Sequence, residues 1–222
     1  MRETKSLIKK RRKAWYEKYR WFISSDGIVV IGGRDAKTNE YIVKRLAKDD
    51  DIIFHADIYG GPFVLLPSKA KSKSSTIAES AIFAASYSNA WKAGFRSIDV
   101  YWVYASQLSK KAKPGEYLRP GSFVIRGKRN YLKGVKLELS VGLEEKNANI
   151  RIMVGPSTAI MKHCKVKIDI VPGKMRKTTA AKEIVNKLLS RLGRRVCKEE
   201  INILANDLIN LLPPGGVEIR GK

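Results

Sequence analysis

The sequence is poor in the residues that most often bind metals or form disulfides. It has two cysteines, Cys164 and Cys197, and two histidines, His55 and His163, scattered over 222 residues. Two lone cysteines give no disulfide framework, and no CxxC or HExxH pattern groups metal ligands. The sequence therefore predicts no metal site, and it favours a reducing, cytoplasmic setting.

Long apolar runs are also missing. No run approaches the roughly 18 residues that a transmembrane helix needs. The N-terminus is charged and has no apolar segment of the kind found in signal peptides. We therefore expect no signal peptide and no membrane partner.

The motifs of common hydrolases and nucleotide-dependent enzymes are absent. There is no GxSxG nucleophile elbow and no GxxxxGK[ST] loop, because "VPGKMRKTT" has no glycine at the required upstream position. The stretch "GGRD" lacks the third glycine of a dinucleotide-binding fingerprint. We therefore expect no catalytic activity and no cofactor.

Acidic residues are few relative to basic ones. The chain has 21 Asp and Glu against 44 Lys and Arg, a formal net charge of +23 with an isoelectric point near 10.1. This charge exceeds what solubility requires and predicts a polyanionic partner. Nucleic acid is favoured over an anionic membrane, because no basic amphipathic anchor helix is evident.

The N-terminal stretch is strongly basic. Residues 1–20 contain nine basic and two acidic side chains, with no glycine or proline before Gly27. This composition predicts a basic leader helix over 1–20, which could be the end of a coiled coil. Arg11 and Arg12 are candidate phosphate contacts, and a solvated helix without a ligand is an equal interpretation.

The stretch "VVIGGRDAKTNE" predicts a strand, a glycine turn and a helix. Gly32 and Gly33 are interpreted as a structural turn, and Asp35 is placed to cap a helix that starts at Ala36. A helix N-terminus beside Arg34 could bind an anion, but the Asp35 carboxylate would occupy the same donors. A structural turn and an RNA contact through Arg34 are equal alternatives.

The middle of the chain predicts strands around one buried helix. Asp26 and Gly27 mark a tight hairpin turn between two apolar runs. Thr76 and Glu79 have the spacing of a capping box, and Gly94 ends a helix over 76–93 that is apolar on nearly every face. The period-two segments are "DIIFHADI", "PFVLLP", "SIDVYWVYASQL", "SFVIRG", "VKLELSVGL", "IRIMVG" and "KVKIDIVPG".

After Gly173 the apolar period changes from two to 3.6 residues, which predicts a closing pair of helices that end at Gly193 and before Pro213. The predicted fold class is α+β: a largely antiparallel curved sheet around a buried central helix, with this C-terminal helical pair. The predicted units are a leader over 1–20, an RNA-binding domain over 21–173 and a helical appendage over 174–222.

A second basic stretch, "LSKKAKPGEYLRPGSFVIRGKRNYL", mixes cations with turn residues and aromatic rings. Positive charge for phosphates and rings for stacking suit single-stranded RNA, although aromatic residues at strand spacing are more often core. The candidate RNA-binding residues here are Lys110, Lys111, Arg126, Lys128 and Arg129.

His55 and Asp57 are the one pair that suggests acid–base chemistry. Two residues apart on a predicted strand, they would lie on the same face and could transfer protons. A buried histidine bonded to a neighbour, or an exposed pair that binds RNA, is favoured over catalysis because no further catalytic groups are identified, so His55 is also a candidate RNA contact.

Several blocks together resemble the NFACT-R domain of the NFACT family of ribosome-associated quality-control factors. The similarity spans about residues 11–156, and the tail after Gly173 is similar to archaeal members. The blocks are "WYEKYRWFISSDGIVVIGGRDAKTNEYIVKR", "DIIFHADIYGGPFVLL", "ESAIFAASYSNAW" and "WVYASQLSKKAKPGEYLRPGSFVIRGKRNYL".

The resemblance implies an RNA-binding module that contacts rRNA or tRNA on stalled large ribosomal subunits. Family members usually carry further domains ahead of this region, so the rest of a larger NFACT protein is an expected partner if the chain is a fragment. Many eukaryotic members have a histidine where this chain has Tyr59, so a two-histidine mechanism is not expected. Two alternatives stay open: an RNA-processing or nucleotide-cleaving enzyme that uses His55 and Asp57, and a structural nucleic-acid-binding protein.

Overall fold

The chain alternates short strands with helices. The computed structural model describes residues 13–70, 73–110, 121–146, 149–194 and 196–220, which form twelve strands and six α-helices. The strands are β1 (Arg20–Ile23), β2 (Val29–Gly32), β3 (Ile52–Ala56), β4 (Val64–Leu66), β5 (Ser97–Tyr104), β6 (Leu108–Ser109), β7 (Val124–Ile125), β8 (Asn130–Lys136), β9 (Leu139–Lys146), β10 (Asn149–Gly155), β11 (Val166–Met175) and β12 (Val217–Arg220). The helices are α1 (Ala36–Tyr41), α2 (Ser74–Ser86), α3 (Asn89–Lys92), α4 (Ser157–His163), α5 (Lys177–Arg191) and α6 (Lys198–Leu211).

Six strands form an antiparallel sheet in the order β1-β2-β4-β3-β5-β8. The sheet contains the predicted hairpin, in which Gly27 adopts a φ of 77°. The Ser24 N–H closes the turn by donating to the Ile28 carbonyl at 2.8 Å. The hairpin prediction is confirmed, because its signal is the local need for positive φ.

Both faces of this sheet are covered. Side chains alternate along a strand, so Val100 and Tyr101, adjacent on β5, belong to different apolar clusters. The Val100 face packs against α2, and the Tyr101 face is covered by Ile42 and Phe123. Ile42 belongs to a π-helical turn (Ile42–Leu46) that continues α1.

The N-terminus of α2 differs from its prediction. The prediction that Thr76 and Glu79 form a capping box is wrong, because α2 begins at Ser74 and both side chains make tertiary contacts. The Thr76 hydroxyl donates to an Asp26 carboxylate oxygen at 2.6 Å. The buried Glu79 side chain accepts from the Ser25 N–H at 3.0 Å. The helix start is therefore joined to the β1–β2 hairpin instead of being capped locally.

The predicted single helix over 76–93 is divided in two. The α2 helix ends at Ser86. Ser88 is the N-cap of the separate helix α3, because its hydroxyl accepts the Ala90 N–H at 3.2 Å. The Asn89 N–H donates to the Gly60 carbonyl at 2.7 Å. This bond ties the start of α3 to the loop that follows β3.

The remaining long strands form a second antiparallel sheet, in the order β10-β9-β11-β12, and β6 pairs with β7. The α+β class is confirmed, but the strands make two larger sheets instead of one. The C-terminal helical pair is confirmed as α5 and α6, with Gly193 just beyond α5 at a φ of 67°. The expected boundary between the RNA-binding domain and the helical appendage, after Gly173, falls inside β11. The C-terminal strand β12 pairs with β11. None of the described helices is long and apolar enough to cross a membrane.

The described end of the leader segment is not an α-helix. A single 3-10 turn (Trp15–Lys18) precedes β1, and the predicted helix up to residue 20 is wrong over this part. Aromatic packing explains the difference, since the ring centroids of Tyr16 and Trp21 lie 5.0 Å apart. Arg151 on β10 stacks over the Trp21 ring at 5.0 Å, which joins this segment to the second sheet.

Candidate nucleic-acid interface

An open cleft of about 450 Å³ lies beside the Tyr101 face of the six-stranded sheet. Its walls come from the end of β2 and the start of α1, from the loop 57–63, and from residues 121–125. Tyr87 and Pro214 complete the wall from more distant parts of the chain. The cleft brings together the predicted site residues Gly33, Arg34, Asp35 and His55.

The paired glycines allow close packing at the base of the cleft. Neither Gly32, the last residue of β2, nor Gly33 has a positive φ. A Cβ on Gly33 would lie 1.9 Å from the Asn39 side-chain oxygen, which accepts the Phe63 N–H at 3.0 Å. The Asn39 amide group also donates to the Gly61 carbonyl at 3.3 Å. The glycine is therefore needed so that Asn39 can join both walls of the cleft.

Asp35 occupies the N-cap position of α1. Its Oδ1 accepts the Thr38 N–H at 2.8 Å, and the Thr38 hydroxyl accepts the Arg34 N–H at 2.8 Å. The bond from the Thr38 backbone holds the pKa of the Asp35 carboxyl below its usual value. The carboxylate thus uses the local N–H donors, as the capping interpretation requires.

Of the residues that the structure describes, Arg20 and Arg34 are the two cations on the cleft wall. The exposed Arg34 guanidinium donates to the Tyr19 carbonyl at 3.2 Å and to the Asn210 carbonyl, beside the end of α6, at 3.5 Å. Arg20 stacks over the Tyr87 ring at 4.6 Å. Burial lowers the pKa of Arg20, and the nearby charge of Arg34 lowers it further. No ion pair among the described residues includes either guanidinium.

His55 lies on β3, opposite Tyr101 of β5. Its ring centroid is 5.0 Å from that of Phe63 and 5.8 Å from that of Tyr101. Its Nδ1 lies 2.6 Å from the Ala56 carbonyl oxygen, which accepts the ring N–H. Burial lowers the pKa of His55, and the Ala56 carbonyl and the Asp57 charge oppose this only in part.

The predicted His55–Asp57 dyad is not formed. The strand ends at Ala56, so alternation no longer places the two side chains on one face. Asp57 is exposed, and its N–H donates to the Asp99 carbonyl at 2.8 Å. His55 instead bonds to the backbone of its neighbour, which was the alternative interpretation.

An aromatic row runs from the cleft to the edge of the sheet. It consists of Phe63, His55, Tyr101 and Tyr131, whose ring centroids lie 5.0 to 5.8 Å apart in succession. Tyr131 lies on the edge strand β8 and is 42% exposed. Burial raises the pKa of Tyr101 to about 12, so its hydroxyl is neutral at physiological pH.

Two cations cover the outer end of the aromatic row. The Arg129 guanidinium lies 4.8 Å from the centroid of the Tyr101 ring, and Lys133 Nζ lies 4.5 Å from that of Tyr131. The hydrogen bond that Arg129 donates to the Tyr131 side chain raises the pKa of Arg129. Lys133 also pairs with Asp99 at 2.7 Å. Stacked cations next to an exposed ring, here that of Tyr131, are a common arrangement for binding phosphates and bases.

The other predicted RNA contacts are dispersed. Lys110 pairs with Glu40 at 3.1 Å and lies over the Phe123 ring at 4.6 Å, so it is less open to solvent than the basic composition indicates. Arg126 and Lys128 have exposed side chains, and their carbonyls accept from the Gln107 amide. The candidates Arg11, Arg12 and Lys111 lie outside the described residues.

Comparison with known proteins decides the family. The family model described as the NFACT protein RNA binding domain matches residues 18–127. The archaeal Rqc2 homolog aRqcH of Methanocaldococcus jannaschii is 40% identical over 218 residues, which are 98% of this chain and 31% of that protein. The chain belongs to the NFACT family.

Eukaryotic NFACT relatives match over shorter stretches. The ribosome quality control complex subunit NEMF homolog of Drosophila melanogaster is 43% identical over 145 residues, 64% of this chain and 14% of that protein. Ribosome quality control complex subunit NEMF of Homo sapiens is 44% identical over 133 residues, 59% of this chain and 12% of that protein. The chain thus spans less than a third of the length of each of these relatives.

The NFACT match includes the whole cleft except Pro214, as well as part of the aromatic row. Sequence reasoning missed four residues of the interface: Arg20, Tyr59, Tyr87 and Lys133. Tyr59 is 73% exposed in the loop beside the cleft, although its aromatic character favours burial. No local pattern pairs Arg20 with Tyr87, which are distant in sequence, so only the tertiary structure could identify them.

Proposed function

We propose that this NFACT chain is the RNA-binding module of a ribosome-associated quality-control factor. The single observation that carries the proposal is the coincidence of the cleft and much of the aromatic row with residues 18–127, which match the NFACT RNA-binding domain. The net charge of +23 supplies the long-range attraction that a polyanion requires.

The described surface suits RNA with unpaired bases. Single-stranded RNA is bound by aromatic rings that stack bases and by cations that contact phosphates. Here the exposed ring of Tyr131 and the cation Lys133 lie on the edge strand β8, and Arg129 directly precedes it, where a strand of RNA has access. The module therefore binds unpaired or loop RNA more tightly than a fully base-paired duplex.

The partner in this proposal is a stalled large ribosomal subunit in the cytoplasm, contacted through rRNA or tRNA. The relatives support this partner, because they are named as ribosome quality control complex subunits and an archaeal Rqc2 homolog. The similarity to the archaeal homolog covers 98% of the chain.

The proposed role involves no catalysis. His55 is the strongest candidate acid or base, but its Nδ1 bonds to the Ala56 carbonyl and its ring is enclosed by Phe63 and Tyr101. A dyad would need a carboxylate in hydrogen-bond reach. The RNA-processing alternative predicts turnover of RNA that His55→Ala abolishes; we expect none in either protein.

The first experiment is a titration of fluorescent RNA at several salt concentrations. If the module contacts roughly six to ten phosphates, its affinity should fall about 10³- to 10⁵-fold between 50 and 200 mM salt. Arg129→Gln should lower the salt slope by about 1. Arg96→Gln, which removes an exposed arginine other than the two cations that cover the aromatic row, is the matched control. Affinity that is independent of salt would contradict the proposal.

Co-sedimentation tests the ribosomal part. The protein should pellet with separated large subunits in preference to intact ribosomes. Equal recovery with both particles and with unrelated RNA would favour a structural nucleic-acid-binding protein instead.

A further inference from the structure

The cleft holds two guanidinium groups, those of Arg20 and Arg34, that form no ion pair among the described residues. The charge of Asp35, on the same wall, partly offsets the effect of Arg34 on the pKa of Arg20. A guanidinium has five N–H donors, and Arg34 uses two bonds on the Tyr19 and Asn210 carbonyls. Donors therefore remain for an anion in the cleft.

The rest of the cleft suits a small planar group. Its volume of about 450 Å³ falls within the range of about 300 to 1,000 Å³ of small-ligand sites. Tyr59, His55 and Phe123 supply aromatic surface, and the side chains of Asn89 and Ser122 supply polar atoms. Glycines at positions 60 and 61 keep the wall thin: a Cβ on Gly60 would lie 2.1 Å from the Asn89 amide nitrogen.

We infer that the cleft binds one unpaired nucleotide of the RNA, with the base beside Tyr59 and the adjoining phosphate on Arg20 and Arg34. The inference rests on the proposed RNA-binding function and specifies the group that enters the cleft. The neighbouring nucleotides then follow the aromatic row toward Tyr131. The recognised feature is a nucleotide free of base pairing, because a paired base cannot leave the stack without cost.

A purely structural role for these cations is the competing explanation. The carbonyl end of a helix attracts positive charge, and Arg34 donates to the carbonyl of Asn210, the second-last residue of α6. That role requires no ligand. It predicts that loss of Arg34 changes stability but leaves discrimination between RNAs unchanged.

The test compares three RNAs in fluorescence anisotropy: a short blunt duplex, the same duplex with a single-nucleotide overhang, and the same overhang without its base. The protein should bind the overhang about fivefold or more tightly than the blunt duplex. The gain is the increase in affinity for overhang RNA over blunt duplex. Tyr59→Ala should remove the part of this gain that is lost when the overhang has no base. Arg34→Gln should remove the part that remains with the abasic overhang. Phe95→Ala and Arg96→Gln change an exposed ring and an exposed arginine away from the cleft, and both should keep the full gain.

Two further measurements keep the outcome decisive. Ser122→Trp fills the cleft and should abolish the overhang gain while leaving blunt-duplex binding unchanged. A 4-thiouridine at the unpaired position should cross-link to the peptides that contain Tyr59 or Phe123, which needs no variant. Equal affinity for blunt and overhang RNA, or cross-links only elsewhere, would overturn the inference and leave the proposed function intact. Failure to bind any RNA would instead refute the proposed function.

Discussion

The Tyr87 hydroxyl donates a hydrogen bond to the backbone carbonyl of Leu211, 124 residues further along the chain. This bond joins the end of α2 to the last residue of α6. Burial raises the pKa of Tyr87, so the hydroxyl keeps its proton. The same ring carries Arg20 on its face, which connects the C-terminal helical pair to the cleft.

Tyr87→Phe should destabilise the protein while keeping the ring under Arg20. The Leu211 carbonyl would lose its side-chain donor, and such a loss costs about 1 to 3 kcal/mol when the acceptor is shielded from water. Urea denaturation should therefore show a lower midpoint with an unchanged slope. Tyr41→Phe, at an exposed ring, is the control and should shift the free energy of unfolding by less than about 0.5 kcal/mol.

Glu79→Leu should be among the most destabilising single substitutions in the domain. The buried carboxylate accepts the Ser25 N–H at 3.0 Å and the Thr158 hydroxyl at 2.6 Å, so it joins the β1–β2 hairpin to α4. Leucine would leave both donors unsatisfied, with a loss of about 1 to 3 kcal/mol for each. Glu183→Leu removes a partly exposed carboxylate paired with Lys187 and should cost about 1 kcal/mol or less. Similar unfolding midpoints for the two variants would refute this account.

Asp35 should make a stability contribution that is lost in acid. Its pKa is lower in the folded protein, where the Thr38 N–H bonds to the carboxylate. The contribution is therefore complete above the unfolded pKa of about 3.9 and is lost as the pH falls through the folded pKa. Asp35→Ala should cost about 1 kcal/mol at pH 7. Asp35→Asn keeps a capping oxygen that does not titrate. In thermal unfolding, the wild type should therefore lose stability relative to this variant as the pH falls from 7 to 3.

His55 should make the protein sensitive to mild acid. Burial lowers its pKa in the folded state, so the unfolded chain binds the proton more readily. The contribution of neutral His55 to the free energy of unfolding is complete above the unfolded pKa of about 6.5. It is lost as the pH falls toward the folded pKa. His55→Gln should flatten the dependence of the melting temperature on pH over this range. His163→Gln, at the other histidine, should retain the His55 component; equal flattening by both variants would count against it.

Local features of the fold could be predicted from the sequence. The Asp26–Gly27 turn depends on the φ of one residue, and the Asp35 cap on an oxygen three residues from its donor. The apolar stripes of α5 and α6 likewise follow from helical periodicity alone. The same local reasoning failed at Thr76 and Glu79, because their side chains bond to residues far away in the chain.

Composition, apolar period and residue order are enough to predict the strong positive charge, the α+β class and the family blocks. Which residues line the cleft could be known only from the folded chain. In the folded chain, Arg20 stacks on the Tyr87 ring and Asn39 packs against Gly33. Asp57 lies beyond the end of the strand that contains His55. Each of these relationships depends on strand ends, register or long-range packing, and no spacing along the chain encodes them.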